Sequence, residues 1–290
     1  MNIQEKQILT SAWFQNLRDK ICAEFEKVEK EYLESNNQPL KSDIKNAKFQ
    51  RKNWQRDQDG KDGGFGEISL MKGNVFEKVG VNFSKVYGEF GEEFRKQIPG
   101  AQDDPRFWAS GISLVAHMRS PLVPAVHMNT RFICTSKSWF GGGADLNPIY
   151  EDDIDTKNFH QSFKKACDKY DKNYYEKYKK WCDDYFFIKH RNCSRGVGGI
   201  FYDYLNSGNF NNDFNFTKDV GLSFLDIFPQ IVRQNMFKNW NDDQREFQLQ
   251  KRGLYTEFNL VYDRGTKFGL MTGGNAEAIL MSLPPVAKWA

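Results

Sequence analysis

The 290-residue sequence has few cysteines and no long apolar run. Its five cysteines form no Cys-x-x-Cys pair. An odd cysteine count without an apolar leader segment argues against a disulfide framework and for reduced thiols. No stretch approaches the roughly 18 apolar residues that a membrane-spanning helix needs. The sequence therefore predicts a cytoplasmic protein with no membrane span.

An excess of one charge sign is also missing. The chain has 41 basic and 38 acidic side chains, a formal net charge of +3. This balance excludes the one-sided basic character of a nucleic-acid binder. Its nine prolines form no linker, and we find no internal repeat. We therefore predict a single domain over residues 1–290, with residues 1–48 as an N-terminal helical segment packed on it.

The hydrophobic periodicity predicts both helices and strands. Helices are predicted at residues 2–34, 156–187 (with Thr156 as N-cap), 217–239 and 242–249, and a last helix is predicted near Asn275. Strands are predicted at residues 67–71, 75–86, 111–118, 126–135 and 197–204, and a β-hairpin at residues 255–263 and 267–272. Residues 49–66 are predicted to be irregular. This order indicates an α+β fold with a mostly antiparallel sheet.

The predicted strand at residues 126–132 carries an unusual polar face. Its period of two places His127, Asn129 and Arg131 on one side and Thr130 with the apolar residues on the other. A proton-transfer group, an amide and a permanent cation in three successive positions suit an anionic ligand that exchanges a proton. The alternative is a solvent-facing edge strand with ordinary polar residues.

A glycine run follows this strand. Gly141, Gly142 and Gly143 let a backbone approach a ligand closely, and Asp145 comes two residues later. A run of three glycines is more often a flexible turn. An acid directly after it, and the polar strand before it, favour a binding site.

Several longer motifs resemble one family, the oxygen-dependent coproporphyrinogen III oxidases. The resemblance extends in family order from about residue 50 to the C-terminus. The segments that carry it are Val75 to Ser84, Ser113 to His117, Val126 to Arg131, Trp139 to Pro148, Lys189 to Asn192, Arg195 to Phe201, Glu257 to Gly265 and Ile279 to Pro285.

This resemblance implies a fold and a reaction. The fold would be one large antiparallel sheet covered by helices on both faces, in a homodimer whose interface we expect in residues 255–288. The substrate would be coproporphyrinogen III, a reduced tetrapyrrole. Two of its propionates would be oxidatively decarboxylated to vinyl groups with O2 as co-substrate, releasing CO2 and hydrogen peroxide. No organic cofactor is implied.

The implied reaction and these residues together suggest a hypothesis for single roles. His127, Asp145 and Arg131 would be catalytic: Asp145 would face the pyrrole N–H groups and accept a pyrrole proton, Arg131 would orient the reacting carboxylate, and His127 would be the proton donor. Substrate binding would involve Ser113, Asn129, Thr130, Arg131, Gly273, Gly274 and Asn275.

A divalent metal has been associated with this family through histidines at the positions of His117, His127, His160 and His190. A bound metal is therefore one alternative. The other is that His160 satisfies a local hydrogen bond and that His190 helps to bind anions.

The sequence departs from the family pattern at three places. His117-Met-Arg-Ser120 stands where the family has His-Pro-Arg-Asn. Asn275 stands where the family has an arginine. We expect either that Arg264 or Lys288 supplies the missing charge or that substrate affinity is weaker. The glycine-rich stretch Gly63 to Ser69 also lacks the arginine that follows it in the family.

Two competing functions remain open from the sequence. A histidine-ligated non-haem iron oxygenase would also use O2 but usually has two histidines and one carboxylate as ligands. A non-catalytic tetrapyrrole carrier would need the cations but has no use for a pairing of Asp145 with His127.

Overall fold

A central antiparallel sheet organises the protein. The computed structural model describes residues 1–35, 44–58, 60–271 and 274–289. Within these residues the sheet has seven strands, which are β1 Gln50–Gln58, β2 Lys61–Met71, β3 Phe76–Glu89, β4 Arg106–Met118, β5 Ala125–Cys134, β6 Ser138–Asn147 and β9 Gly198–Leu205. They lie side by side in the order β1-β2-β3-β4-β5-β6-β9, and each neighbouring pair is antiparallel. The short strands β7 Phe187–Ile188 and β8 Cys193–Ser194 pair separately.

Helices flank the sheet. They are α1 Ile3–Glu34, α2 Glu92–Arg95, α3 Asp153–Asp168, α4 Tyr174–Tyr185, α5 Phe210–Asn235, α6 Asp242–Val261, α7 Arg264–Met271 and α8 Ala276–Leu280. None of the helices in the described part of the chain is long and apolar enough to cross a membrane.

Helix α1 confirms the predicted N-terminal helix. Asn2 and Glu5 close its first turn with a capping box, in which each side chain accepts the other residue's backbone N–H. Phe14, Ile21 and Phe25 are fully buried, and the helix packs against β3 and β4. Within the predicted N-terminal segment 1–48, residues 36–43 lie outside the described residues.

The two faces of the sheet are covered differently. One face packs against α1 and α5, and the β5 residues Val126, Met128 and Phe132 belong to this large core. On the other face Phe258 of α6 and Phe201 of β9 belong to one hydrophobic cluster, while Met281, just after α8, shares a second cluster with Ile68 of β2. The expectation of helices on both faces is confirmed. We call the second face, which carries His127, Asn129 and Arg131, the cleft face.

The predicted hairpin at residues 255–272 is wrong. Helix α6 continues through this segment to Val261, and α7 follows from Arg264. The aromatic residues Tyr255, Phe258 and Tyr262 suggested strands, but their spacing of three and four places them on one side of a helix that packs on the sheet.

Other boundaries also differ from the prediction. Residues 49–66 are not irregular, because β1 pairs with β2 along most of this stretch. The helix predicted at residues 156–187 is two helices, and Asp152 rather than Thr156 caps the first. Helix α5 begins at Phe210, earlier than predicted, with Asn209 as its N-cap.

Candidate active site

The registers of β4, β5 and β6 bring the predicted polar residues together. Asn129 lies opposite Ser113 on β4 and opposite Gly143 on β6. His127 lies opposite Asp145. Opposite residues of antiparallel strands project to the same side of a sheet, so these side chains share the cleft face with Arg131. The alternating burial along β5 confirms the predicted two-faced strand.

His127 and Asp145 form a hydrogen-bonded pair. His127 Nδ1 lies 2.8 Å from Asp145 Oδ1, and His127 Nε2 lies 3.2 Å from Asn129 Nδ2. An ionised carboxylate only accepts hydrogen bonds, so the proton of the neutral imidazole belongs on Nδ1. His127 Nε2 then accepts from the Asn129 amide and is the basic atom on the cleft side.

Asp145 is buried and fully bonded. Arg195 Nη2 donates to both carboxylate oxygens at 2.8 and 2.7 Å, and Asn147 Nδ2 donates to Oδ2 at 3.0 Å. Burial alone raises the pKa of Asp145, but the charge of Arg195 and the hydrogen bond from His127 outweigh it and lower the pKa to about 2. Asp145 is therefore a fixed anion behind His127.

Arg195, the partner of Asp145, is a residue of this site for which the sequence predicted no role. Its guanidinium carbon lies 4.0 Å from the ring centre of Phe186 and 4.7 Å from that of Tyr255. Its Nη1 donates to Asn259 Oδ1 at 2.9 Å. The Arg195 side chain is 2% exposed. In the sequence, only its position at the start of a family motif pointed to Arg195. Its partner Asp145 lies 50 residues earlier in the chain, so spacing could not reveal the pair.

Arg131 is the second cation of the cleft face and is partly open. It pairs with Asp203 of β9 at 2.8 Å, and its side chain is 28% exposed. Its Nη1 donates to Asn129 Oδ1 at 3.0 Å. Burial lowers the pKa of Arg131, but the charge of Asp203 outweighs it and raises the pKa overall. The side chains from Asp203 to Arg195 thus form one hydrogen-bonded row through Arg131, Asn129, His127 and Asp145.

The glycine run serves this row and is not a turn. All three glycines are buried within β6. A Cβ on Gly141 would lie 2.6 Å from Asp203 Oδ1 and 3.0 Å from Arg131 Cζ. Gly143 has a φ of +147° and lies against the backbone of Ile200. Their missing side chains make room for the ion pair and for the close approach of β9.

The remaining predicted binding residues are dispersed. The Thr130 side chain is fully buried on the face that packs against α1 and α5, so only its backbone borders the cleft face. Gly273 lies outside the described residues. Gly274 and Asn275 precede α8, and Asn275 Oδ1 caps that helix by accepting from the Ala278 backbone N–H at 2.9 Å.

The two cations expected to replace the family arginine differ. Lys288 is paired with Glu246. The side chain of Arg264 is exposed and stands 5.5 Å from the ring centre of Tyr185, and among the described residues its guanidinium has no ion-pair partner. Arg264 is therefore the better candidate.

The four histidines do not converge. His117 Nε2 bonds the Ser282 carbonyl at 2.9 Å, His160 Nε2 bonds the Val197 carbonyl at 3.0 Å, and His190 Nε2 bonds Glu257 at 2.7 Å. Burial, followed by the charge of Arg252, lowers the pKa of His117 to about 3. Within the described ranges no group of three or more His, Cys, Asp or Glu side chains is placed to hold a metal ion. These residues do not fit the four-histidine metal site.

A histidine backed by a buried aspartate, beside a partly open arginine, defines an enzyme site for an anionic ligand that exchanges a proton. The family model described as coproporphyrinogen III oxidase matches residues 9–290. A protein of Rickettsia bellii (strain OSU 85-389) named oxygen-dependent coproporphyrinogen-III oxidase is 60% identical over 290 residues, covering 100% of both chains. A protein of Rickettsia akari (strain Hartford) with the same name is 61% identical over 289 residues, again with 100% of both chains covered. The chain belongs to the coproporphyrinogen III oxidase family.

Proposed function

We propose that this protein carries out the oxygen-dependent oxidative decarboxylation of coproporphyrinogen III in haem biosynthesis. Two propionates become vinyl groups, which gives protoporphyrinogen IX. The name of the full-length Rickettsia relatives supports this reaction. The observation that carries it is the row of charged and proton-exchanging side chains from Asp203 to Arg195 on one face of the sheet.

The reaction sets what the site must supply. For each propionate, the bond to the carboxyl carbon breaks and CO2 leaves. The carbon attached to the pyrrole ring loses a hydrogen with its electron pair, formally a hydride. O2 accepts this pair and, with one proton from solvent, becomes hydrogen peroxide. The site must therefore hold a carboxylate, and O2 is the oxidant. In this proposal the site also removes the N–H proton of the pyrrole, which makes the ring more reactive toward O2.

Arg131 holds the reacting propionate in this proposal. Its guanidinium is planar and permanently charged, so it can bind a carboxylate through two parallel N–H groups. Asp203 and Asn129 fix its orientation at 2.8 and 3.0 Å, which leaves the remaining N–H groups for the ligand. Ser113, which lies opposite Asn129 on β4, is an additional donor on the same face.

His127 is the base in this proposal, and Asp145 is its positioning partner. From the sequence, Asp145 is predicted to accept a pyrrole proton itself and His127 to donate one, whereas the hydrogen bonds of the pair favour the assignment proposed here. The oxygens of Asp145 already accept from His127, Arg195 and Asn147, and its lowered pKa makes it a weak base. His127 Nε2 instead takes the pyrrole proton, and Asp145 stabilises the imidazolium that results. The electron-rich pyrrole then forms a bond to O2 directly, and the resulting peroxide takes the hydrogen from the carbon attached to the ring. CO2 leaves, the bond between the ring and the peroxide breaks, and a solvent proton completes hydrogen peroxide. The proton held by His127 returns to the pyrrole nitrogen.

No step of this proposal uses a metal, because the four histidines are engaged separately. The competing iron oxygenase would need ligands that converge. The competing carrier leaves the His127–Asp145 pair without a purpose.

We also propose a homodimer whose interface lies in residues 255–288. Leu260 and Val261 at the end of α6 and Leu270 and Met271 in α7 are exposed. Exposed apolar side chains are typical of a contact surface where they form a patch. Sedimentation should give a dimer that Leu270→Asp weakens, and a wild-type monomer would contradict the proposal. The cytoplasmic location and the one-domain organisation stay predictions from the sequence.

Aerobic incubation with coproporphyrinogen III tests the function. The wild-type protein should release two CO2 and two hydrogen peroxide per protoporphyrinogen IX formed, and His127→Gln should lower the rate by about 10²-fold or more. Wild-type protein that binds the substrate without releasing CO2 would favour the carrier.

A further inference from the structure

The pairing of β6 with β9 contains a β-bulge at the Arg131 end of the cleft face. Phe140 pairs with Leu205 and Gly142 with Tyr202, so Asp203 and Tyr204 together oppose the single residue Gly141. Bulges of this kind redirect side chains and are frequent beside active sites.

The bulge turns two successive side chains toward the cleft face. Asp203 reaches Arg131, and the Tyr204 ring packs at 5.6 Å on Trp139, which lies opposite Ile133 on this face. Regular alternation would place Tyr204 on the face that packs against α1 and α5, where Tyr202 and Leu205 lie in the core.

This arrangement strains the backbone. Tyr204 has a φ of +55°, the left-handed region that aromatic residues rarely adopt. In this conformation its backbone N–H donates to Asp203 Oδ1 at 3.0 Å. Strain of this sort costs stability and persists where the position serves a function.

The Tyr204 ring is open to a ligand. It is 46% exposed, whereas Trp139 beneath it is 5% exposed. Burial and the charge of Asp203 raise the pKa of Tyr204, and Arg264 and Arg131 are close enough to oppose that rise. An exposed aromatic surface thus lies near the cation Arg131 at one end of the cleft face.

We propose that Tyr204 determines substrate affinity by packing its ring against the pyrrole whose propionate Arg131 holds. This inference rests on the proposed function. The Tyr204 ring would add an aromatic contact to a site whose other side chains bind charged groups. This contact would explain why the strained conformation of Tyr204 persists.

Anaerobic titration with coproporphyrinogen III tests the proposal separately from turnover. Tyr204→Asn removes the ring but keeps a residue type that tolerates positive φ, so the Kd should rise about tenfold, as expected for one lost aromatic contact. Tyr204→Phe, which keeps the ring, should recover most of the affinity. Thermal unfolding of Tyr204→Asn should occur no lower than that of the wild type.

Tyr150→Asn is the matched control. Tyr150 is 41% exposed, follows the other end of β6 and packs on Phe247, so its loss should leave the Kd unchanged. A wild-type Kd for Tyr204→Asn, or equal losses for Tyr204→Phe and Tyr204→Asn, would overturn the proposal. If the wild-type protein binds coproporphyrinogen III but does not turn it over, the proposed function alone is refuted. If the wild-type protein does not bind it, the proposed function and the role of Tyr204 are both refuted.

Discussion

Replacing Asp145 by asparagine separates the charge of the buried pair from its shape. The Asp145 and Arg195 side chains are both 2% exposed and lie 2.7 Å apart. The substitution leaves a buried guanidinium without its counter-charge, which typically costs about 3–5 kcal/mol. We therefore expect the free energy of unfolding to fall by about 4 kcal/mol. Turnover should fall by about 10²-fold or more, because His127 loses the anion that fixes its tautomer.

The double variant Asp145→Asn with Arg195→Met distinguishes the two effects. A methionine can occupy the space between Phe186 and Tyr255 without needing a counter-charge. Stability should return to within about 2 kcal/mol of the wild type, whereas turnover should stay low.

Urea unfolding and oxygen consumption measure these two quantities. Glu246→Gln, which breaks the exposed pair with Lys288, is the control and should change neither by much. Wild-type stability of Asp145→Asn would refute the buried-pair reasoning. Recovered turnover in the double variant would refute the role of Asp145 behind His127.

Three further predictions follow from the same geometry. Arg131→Lys should raise KM about tenfold or more in steady-state assays, because an ammonium cannot bind a carboxylate through two parallel N–H groups; an unchanged KM would place the propionate elsewhere. The pKa of His117 in the folded protein is about 3, below its ordinary value of 6.5. Between pH 6.5 and pH 3 His117 therefore takes up a proton only in the unfolded chain, and the free energy of unfolding falls as the pH falls through this range. His117→Gln should flatten this slope in urea melts from pH 6.5 to 5, and an equal slope would contradict the assignment. Turnover should survive exhaustive chelation, and a loss restored by one divalent metal would favour the iron oxygenase.

Sequence patterns predicted the helices and strands whose formation depends on residues close together in the chain. The alternation in β5 follows from one buried and one polar face, and α1 follows from its apolar spacing and the Asn2 cap. The segment 49–66 was unpredictable in this way, because its strands depend on pairing between β1, β2 and β3. The false hairpin arose because bulky aromatic residues favour strands in general, while here they cover the sheet from a helix.

The site was predicted only as far as single strands reach. His127, Asn129 and Arg131 share a face because they are two residues apart. The pairing of Asp145 with Arg195 and of Arg131 with Asp203 depends on contacts across 50 and 72 residues of chain, respectively. Sequence spacing therefore identified Asp145 as important but could not show that it is buried behind His127 rather than open to the substrate.

The tautomer of His127 tests the proposed base most directly. With ¹⁵N-labelled histidine the protein has four imidazoles, and His127→Gln identifies the signal of interest. The structure predicts a protonated Nδ1, bonded to Asp145, and an unprotonated Nε2 on the cleft side in the neutral ring. A proton on Nε2 instead would contradict the account.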